Sequence, residues 1–261
     1  MKGLMKRYKA IPEFYDAESA DIKMLHNDVP FFLGQMPQKR QSVLELAVGT
    51  ARAAIPIAQA GHRVTGIDYD QNLLSIAMQK RDSVGLKERD LKLIHGDILE
   101  VDLQVTFDWV CIFFNTLLAF PALDELDRLL QRARRHLKPR GRLWIDVFQP
   151  DLAHLSRPTD TGLDPRMFHV PQMDRTVFQT TDVRRDVAKQ IQEITFNYSW
   201  FDDFGEVHRR QNRFSMTWIF PRELELLLSR NGLWIEEMWG NYDGSALKSE
   251  SPRMIARCMK G

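Results

Sequence analysis

Val43-Leu44-Glu45-Leu46-Ala47-Val48-Gly49-Thr50-Ala51 is an apolar strand that carries one carboxylate near its end and breaks into a turn of small residues. A second strand, Arg63-Val64-Thr65-Gly66-Ile67, ends on Asp68, about 20 residues further on, the spacing at which strand-turn-helix-strand units set an acid against a ribose. Together the two segments read as a site for a nucleotide-like cofactor. An acid before the turn as well as after the next strand biases which cofactor it is.

Outward from this point, Ser42 to Gln149 alternates short apolar runs with helical patterns, the grammar of a parallel sheet wrapped by helices. Strands are expected at Val43 to Leu46, Arg63 to Ile67, Leu91 to His95, Phe107 to Phe114 and Arg142 to Phe148. Asp70 is placed to cap a helix over Gln71 to Val84, and Pro121 to start one that runs through Leu137 and stops before Pro139 and Gly141. Ahead of the sheet, Ala17 to Leu33 reads as one or two helices with Ile22, Leu25, Val29 and Phe32 at helical spacing. After Pro150 comes a loop rich in Pro, Asp and Thr. Polar-apolar alternation follows, with Ile194, Phe196, Tyr198 and Trp200 on one strand face and Phe214, Met216 and Trp218 on another, across a turn at Asp202-Asp203-Phe204-Gly205. The pattern then returns to that of the core: a helix opened by Pro221 and ended by Asn231-Gly232, a strand from Leu233 to Met238, and a last strand from Pro252 to Met259. The expected organisation is N-terminal helices plus a cofactor-binding core over 1–149, an inserted antiparallel lid and acceptor region over 150–218, and a C-terminal helix and two strands over 219–261 that complete the sheet.

With 261 residues, 36 Lys+Arg against 35 Asp+Glu and a formal charge of +1, the chain has a sizeable core and no global field to recruit nucleic acid or an anionic membrane. Cys111 and Cys258 stand alone, without the spacing of a disulfide framework or a zinc site, and no apolar run has the length of a membrane span. A soluble cytoplasmic protein that binds no metal, as a monomer or homodimer, is expected.

The turn itself discriminates between cofactors. A dinucleotide site uses Gly-x-Gly-x-x-Gly so that a pyrophosphate can rest on the backbone, whereas here the outer positions are Ala47 and Ala51 and the strand ends in Glu45. Gly49, delivered into a helix N-terminus, lets a ligand approach backbone N–H groups. An acid at Glu45 repels a pyrophosphate and suits an ammonium group. S-adenosylmethionine has one, together with a ribose for Asp68.

Glu45 to Ala51 resembles the glycine-rich signature of class I S-adenosylmethionine-dependent methyltransferases, and Val64 to Asp68 resembles the acidic loop that follows it. His95-Gly96-Asp97-Ile98, Phe107-Asp108-Trp109-Val110 through Asn115, and Leu137 to Leu143 fall in the family's order. Gly240-Asn241-Tyr242-Asp243-Gly244 and Ser251-Pro252-Arg253-Met254-Ile255 are similar to a bacterial small-molecule branch. The resemblance spans nearly the whole chain and implies a seven-stranded, mostly parallel α/β Rossmann-like sheet with helices on both faces. It also implies S-adenosylmethionine as cofactor and S-adenosylhomocysteine as product. By the same resemblance Glu45, Ala47 and Gly49 border the methionine moiety, Asp68 with Tyr69 holds the ribose side, Asp97 and Ile98 face the adenine, and Phe114 and Asn115 lie near the sulfonium. Ala47 and Ala51 depart from the glycines common in the family and narrow the turn.

Enzymes that methylate exocyclic amines of nucleic-acid bases resemble one another in an Asn/Asp-Pro-Pro-aromatic run where this chain has Phe113-Phe114-Asn115-Thr116. Its absence, and the acids Asp124, Glu125 and Asp127 among the cations Arg128, Arg132, Arg134, Arg135 and Lys138, point away from nucleic acid. Methyl transfer asks mainly for alignment and exclusion of water, so Tyr15 and Asn115 are expected as positioning residues, with Tyr8 beside Tyr15 in the same segment. Phe148, Gln149, Tyr198, Arg213, Trp218 and Tyr242 are candidates for lining a small-molecule acceptor site. No histidine among His95, His136, His169 and His208 has an inferable carboxylate partner. The expected function is in-line transfer of a methyl group to an N or O nucleophile of a small molecule. The alternative is a cofactor-binding sensor or partner protein without transferase activity. A short-chain oxidoreductase predicts a Tyr-x-x-x-Lys pair after the fourth strand, which the sequence lacks.

Overall fold

A computed structural model describes residues 11–261; Tyr8 lies outside them. In chain order the strands are β1 (Ser42–Leu46), β2 (Arg63–Asp68), β3 (Leu91–His95), β4 (Phe107–Ile112), β5 (Leu137–Phe148), β6 (Thr159–Val170), β7 (Arg175–Asp186), β8 (Ile191–Phe201), β9 (Val207–Thr217), β10 (Leu233–Trp239) and β11 (Arg253–Lys260). The helices are α1 (Pro12–Asp21), α2 (Leu25–Gly34), α3 (Ala54–Gln59), α4 (Gln71–Ser83), α5 (Leu123–Arg135), α6 (Leu152–Leu155) and α7 (Pro221–Arg230). No helix among the described residues is long and apolar enough to cross a membrane.

The chain divides into two compact units. One holds residues 24–117, 122–149 and 219–261, the other, among the described residues, 11–23, 118–121 and 150–218.

The larger unit is built on a seven-stranded sheet in the order β10-β11-β5-β4-β1-β2-β3. β11 runs antiparallel to β10 and β5 on either side of it, and the other pairs are parallel. Val43, Leu44 and Leu46 are all buried, as are Leu143 through Val147, which is why these strands read as continuous apolar runs and not as alternation. The strand order reverses between β1 and β4, so right-handed crossovers lay their helices on opposite faces and leave a crevice at the carboxyl ends of these two strands. Local sequence fixes the helix ends. The Asp70 carboxylate accepts from the backbone N–H groups of Asn72 and Leu73 at the start of α4. In α7, Pro221 sits in the first turn, the Glu223 carboxylate accepts from Phe220 N at 2.8 Å, and the helix stops at Asn231. Helix α5 buries Leu126, Leu129, Leu130 and Ala133 on one face. Its cations are engaged: Arg132 and Arg134 donate to the carbonyls of Leu99 and Gly232, Arg135 pairs with Asp102, and Lys138 beyond it pairs with Asp108. Helix α5 ends at Arg135, before the expected Leu137. Leu137 already begins β5, and a register shift opposite Phe107 and Trp109 absorbs the Lys138 to Gly141 stretch.

The smaller unit is a four-stranded antiparallel meander, β6-β7-β8-β9, with α1 packed on it. Here the structure adds to the expected hairpin. The stretch read as a loop forms most of β6 and β7. Gly162 and Asp164 adopt positive φ, and two register shifts between Asp160 and Arg166 carry them with Pro165. Residues that signal a loop are thus taken up as irregularities of an edge strand. Arg166, Gln179, Tyr198 and Arg210 stand opposite one another across the four strands. The Glu18 carboxylate of α1 accepts from Arg166 at 3.1 Å, Gln179 at 2.8 Å and Tyr198 at 3.1 Å. Phe14 packs beside Tyr198 and Trp200, and with Ile11, Phe168, Val170 and Val177 it forms the apolar core of this face.

Candidate cofactor site

The turn after β1 is held by its neighbours. Val48 N donates to Ile67 O at 2.9 Å, and Gly66 is required because a Cβ there would lie 2.6 Å from a Val48 methyl. Ala47, Gly49 and Ala51 have φ values of 61°, 55° and 62°. Left-handed backbone suits glycine, while each alanine carries about 1 kcal/mol of strain. This run also delays the helix. Helix α3 begins only at Ala54 and has six residues, so irregular backbone, rather than the expected helix N-terminus, follows Gly49.

Asp68 braces the turn from β2. One of its oxygens accepts from Gly49 N at 2.8 Å and the other from Asp70 N at 2.9 Å. The Tyr69 backbone N–H is a third donor to this carboxylate, which keeps capacity for a further one. Burial pushes the Asp68 carboxyl up, partly opposed by these backbone bonds.

Glu45 is treated differently. It is 4% exposed, and its Oε2 has no hydrogen-bond partner among the described residues. Desolvation pushes its carboxyl up to about 8; the Arg52 charge opposes this, while Asp28 and Asp68 add to it. Arg52 is itself held by Asp28, with bonds of 3.0 and 2.6 Å to the two carboxylate oxygens. Three carboxyl groups and the Arg52 guanidinium therefore lie about the turn, and the Lys80 ammonium donates to Thr50 Oγ1 within it at 3.3 Å. Asp28 and Arg52 escaped the sequence reading, since nothing in their local pattern separates them from solvent-facing charges.

On the same edge of the sheet, Asp68 stands in register with His95, whose Nε2 lies 2.9 Å from Tyr69 O. The Tyr69 side chain is 45% exposed. Past β3, Asp97 accepts from Leu99 N at 2.9 Å, and Ile98 is buried. At the end of β4, Phe114 and Asn115 adopt φ values of 38° and 64°. The Asn115 Oδ1 accepts from Phe148 N at 2.8 Å. Glu45, Ala47, Gly49, Asp68, Tyr69, Asp97, Ile98, Phe114 and Asn115 thus gather at the carboxyl ends of β1 to β4.

The residues considered for the acceptor are placed unevenly. Phe148 ends β5. Tyr242 is 7% exposed and donates to the buried Asp146 at 2.7 Å. Tyr15, Tyr198, Arg213 and Trp218 belong to the smaller unit. There Tyr198 and Trp218 are buried, the Tyr198 hydroxyl is given to Glu18, and exposed Arg213 donates to Thr195 at 3.3 Å. Two of the four histidines named above do have carboxylate neighbours: His208 lies 2.9 Å from Asp202 and His169 lies 3.8 Å from Asp174. Asp202, Glu206 and His208 bring their ligand atoms within 4.8 Å of one another at that hairpin turn. His136 is structural, accepting from Leu103 N at 3.0 Å.

Residues 43–141 match the family described as a methyltransferase domain. The chain is 28% identical over 246 residues to the cypemycin N-terminal methyltransferase of a Streptomyces species, which covers 93% of each chain. It shares its fold with an S-adenosylmethionine-dependent methyltransferase from Clostridium acetobutylicum, at a TM-score of 0.76 and 18% identity over 95% of this chain and 96% of that one. A second structure, an amino pentose methyltransferase from Micromonospora echinaspora, superimposes at a TM-score of 0.70 and 17% identity over 98% and 99% of the two chains. Residues 43–141 thus match a methyltransferase domain, and the chain shares the fold of S-adenosylmethionine-dependent methyltransferases.

Proposed function

We propose that the chain transfers the methyl group of S-adenosylmethionine to a nucleophile of a small molecule, an amine in preference to a hydroxyl, by in-line displacement. Glu45 carries the cofactor half of this reading. A buried carboxylate with an unpaired oxygen is costly, and an ammonium group offsets that cost with a charge-assisted bond. The cofactor's amino acid supplies the ammonium, and a ribose hydroxyl suits the remaining capacity of Asp68. On this reading Tyr69, Asp97 and Ile98 border the adenine, and Phe114 with Asn115 borders the sulfur.

When bound, S-adenosylmethionine supplies a methyl group already activated by a positive sulfur. The protein's tasks are then alignment and exclusion of water. An amine attacks in its neutral form and needs no strong base from the protein. Two similar proteins support the amine: one is named for an N-terminal methylation and the other for an amino pentose.

Labelled S-adenosylmethionine incubated with amino sugars, short peptides with free N-termini, phenols and alcohols tests the reading. Label in an amine, with equimolar S-adenosylhomocysteine, is expected. Binding of S-adenosylhomocysteine without transfer to any acceptor favours a sensor or partner protein. Binding of NADPH with no response to S-adenosylmethionine overturns the cofactor assignment.

A further inference from the structure

The end of β4 holds two consecutive non-glycine residues in left-handed backbone, Phe114 and Asn115. Such conformations persist where surrounding groups over-determine them, and they concentrate at functional sites. Here one buried residue grips both. Asp146 is 0% exposed. Its backbone carbonyl accepts from Asn115 N at 2.8 Å, and its Oδ2 faces Phe114 N at 3.4 Å.

Asp146 is in turn fixed by two residues from the far end of the chain. Arg253, 2% exposed, donates to Oδ1 through Nε at 2.9 Å and Nη2 at 2.6 Å. Tyr242 donates its hydroxyl to Oδ2 at 2.7 Å. The Arg253 guanidinium also lies 5.2 Å from the centre of the Phe114 ring and 6.0 Å from that of Tyr242. An aspartate in a continuous apolar strand, an arginine and a tyrosine are thus spent on one turn that has no glycine to relax it.

We infer that Asp146, Arg253 and Tyr242 form a positioning triad that holds the Phe114–Asn115 turn against the sulfur end of the cofactor. Buried at 0%, 2% and 7% exposure, Asp146, Arg253 and Tyr242 act through the turn, which removes Tyr242 from the acceptor-lining role expected of it. This inference rests on the cofactor reading above. It gives the Tyr242 and Arg253 segments a role in a reaction whose reactive groups lie at the other end of the sequence.

Calorimetry on the full chain with adenosine and with 5′-methylthioadenosine, which differ only at the sulfur-bearing end, tests it. Wild type is expected to prefer 5′-methylthioadenosine by about tenfold. Tyr242→Phe removes one hydroxyl, and Arg253→Lys keeps the buried charge but not the paired donors. Each is expected to cut the preference to about twofold with adenosine affinity unchanged, an outcome that general loosening of the fold does not produce. Folded variants that retain the tenfold preference, or lose both ligands equally, overturn the triad while leaving the cofactor reading intact. If both variants unfold, the three residues only hold the fold together and the inference also fails. A wild-type chain that binds neither nucleoside overturns the cofactor reading, and the triad with it.

Discussion

Two buried glutamates set the two units of the molecule apart. Glu18, in the four-stranded unit, gives both oxygens to donors from three adjacent strands that share one register row. Glu45, in the seven-stranded unit, is at least as buried, at 4% exposure against 8%, yet one of its oxygens has no hydrogen-bond partner among the described residues. Burial raises the carboxyl of both. Burial and charge therefore do not tell these two acids apart; their hydrogen bonding does, complete at Glu18 and open at Glu45 Oε2. Glu18 closes a network that docks α1 on its sheet, whereas Glu45 keeps one oxygen open, which the proposed reading gives to the cofactor's ammonium.

Substitution of each acid breaks the comparison in a different place. The largest effect is expected for Glu45→Gln, which weakens S-adenosylhomocysteine at least a hundredfold in calorimetry, the loss of a buried charge-assisted contact. Glu18→Gln leaves that affinity within about threefold and instead destabilises the chain by about 2 kcal/mol, read as a fall of about 4–8 °C in Tm.

A smaller effect follows from linkage. Because the Glu45 carboxyl is raised from 4.5 to about 8, the folded chain holds this proton more tightly than the unfolded one. Its contribution to stability is complete below about 4.5 and is lost as pH rises through about 8. Glu45→Gln removes that slope, so the ligand-free variant should melt above wild type by a margin that widens between pH 5 and pH 8.5 in a thermal-melt series. Smallest of all, Ala47→Gly relieves a left-handed alanine and should stabilise the chain by up to about 1 kcal/mol, seen as a shift in denaturation midpoint with unchanged slope.

The seven-stranded unit is legible in the sequence because its signals are local. Asp70 caps the helix expected of it, Asn231-Gly232 ends another, and β1 to β3 lie within a residue of their expected bounds. The small-residue turn and the acids Glu45 and Asp68 stand out for the same reason. The remainder is non-local. Arg52 meets Asp28 across 24 positions and Arg253 meets Asp146 across 107, and no periodicity records such pairs. One signal was available: Asp146 interrupts the buried apolar run Leu143 to Val147, and an acid in such a strand needs a buried cation. In the four-stranded unit the polar face of β6 and the Gly162 to Pro165 irregularity mask two strands as a loop. The register row that receives Glu18 exists only once those strands are paired.

The account stands most directly on whether Glu45 receives an ammonium group. Calorimetry with S-adenosylhomocysteine and its analogue lacking the amino group, on wild type and Glu45→Gln, isolates that contact as a double cycle. Wild type is expected to prefer the amino-bearing ligand by at least about tenfold and Glu45→Gln to show almost no preference. Equal loss of both ligands on substitution, or a wild type indifferent to the amino group, would contradict it.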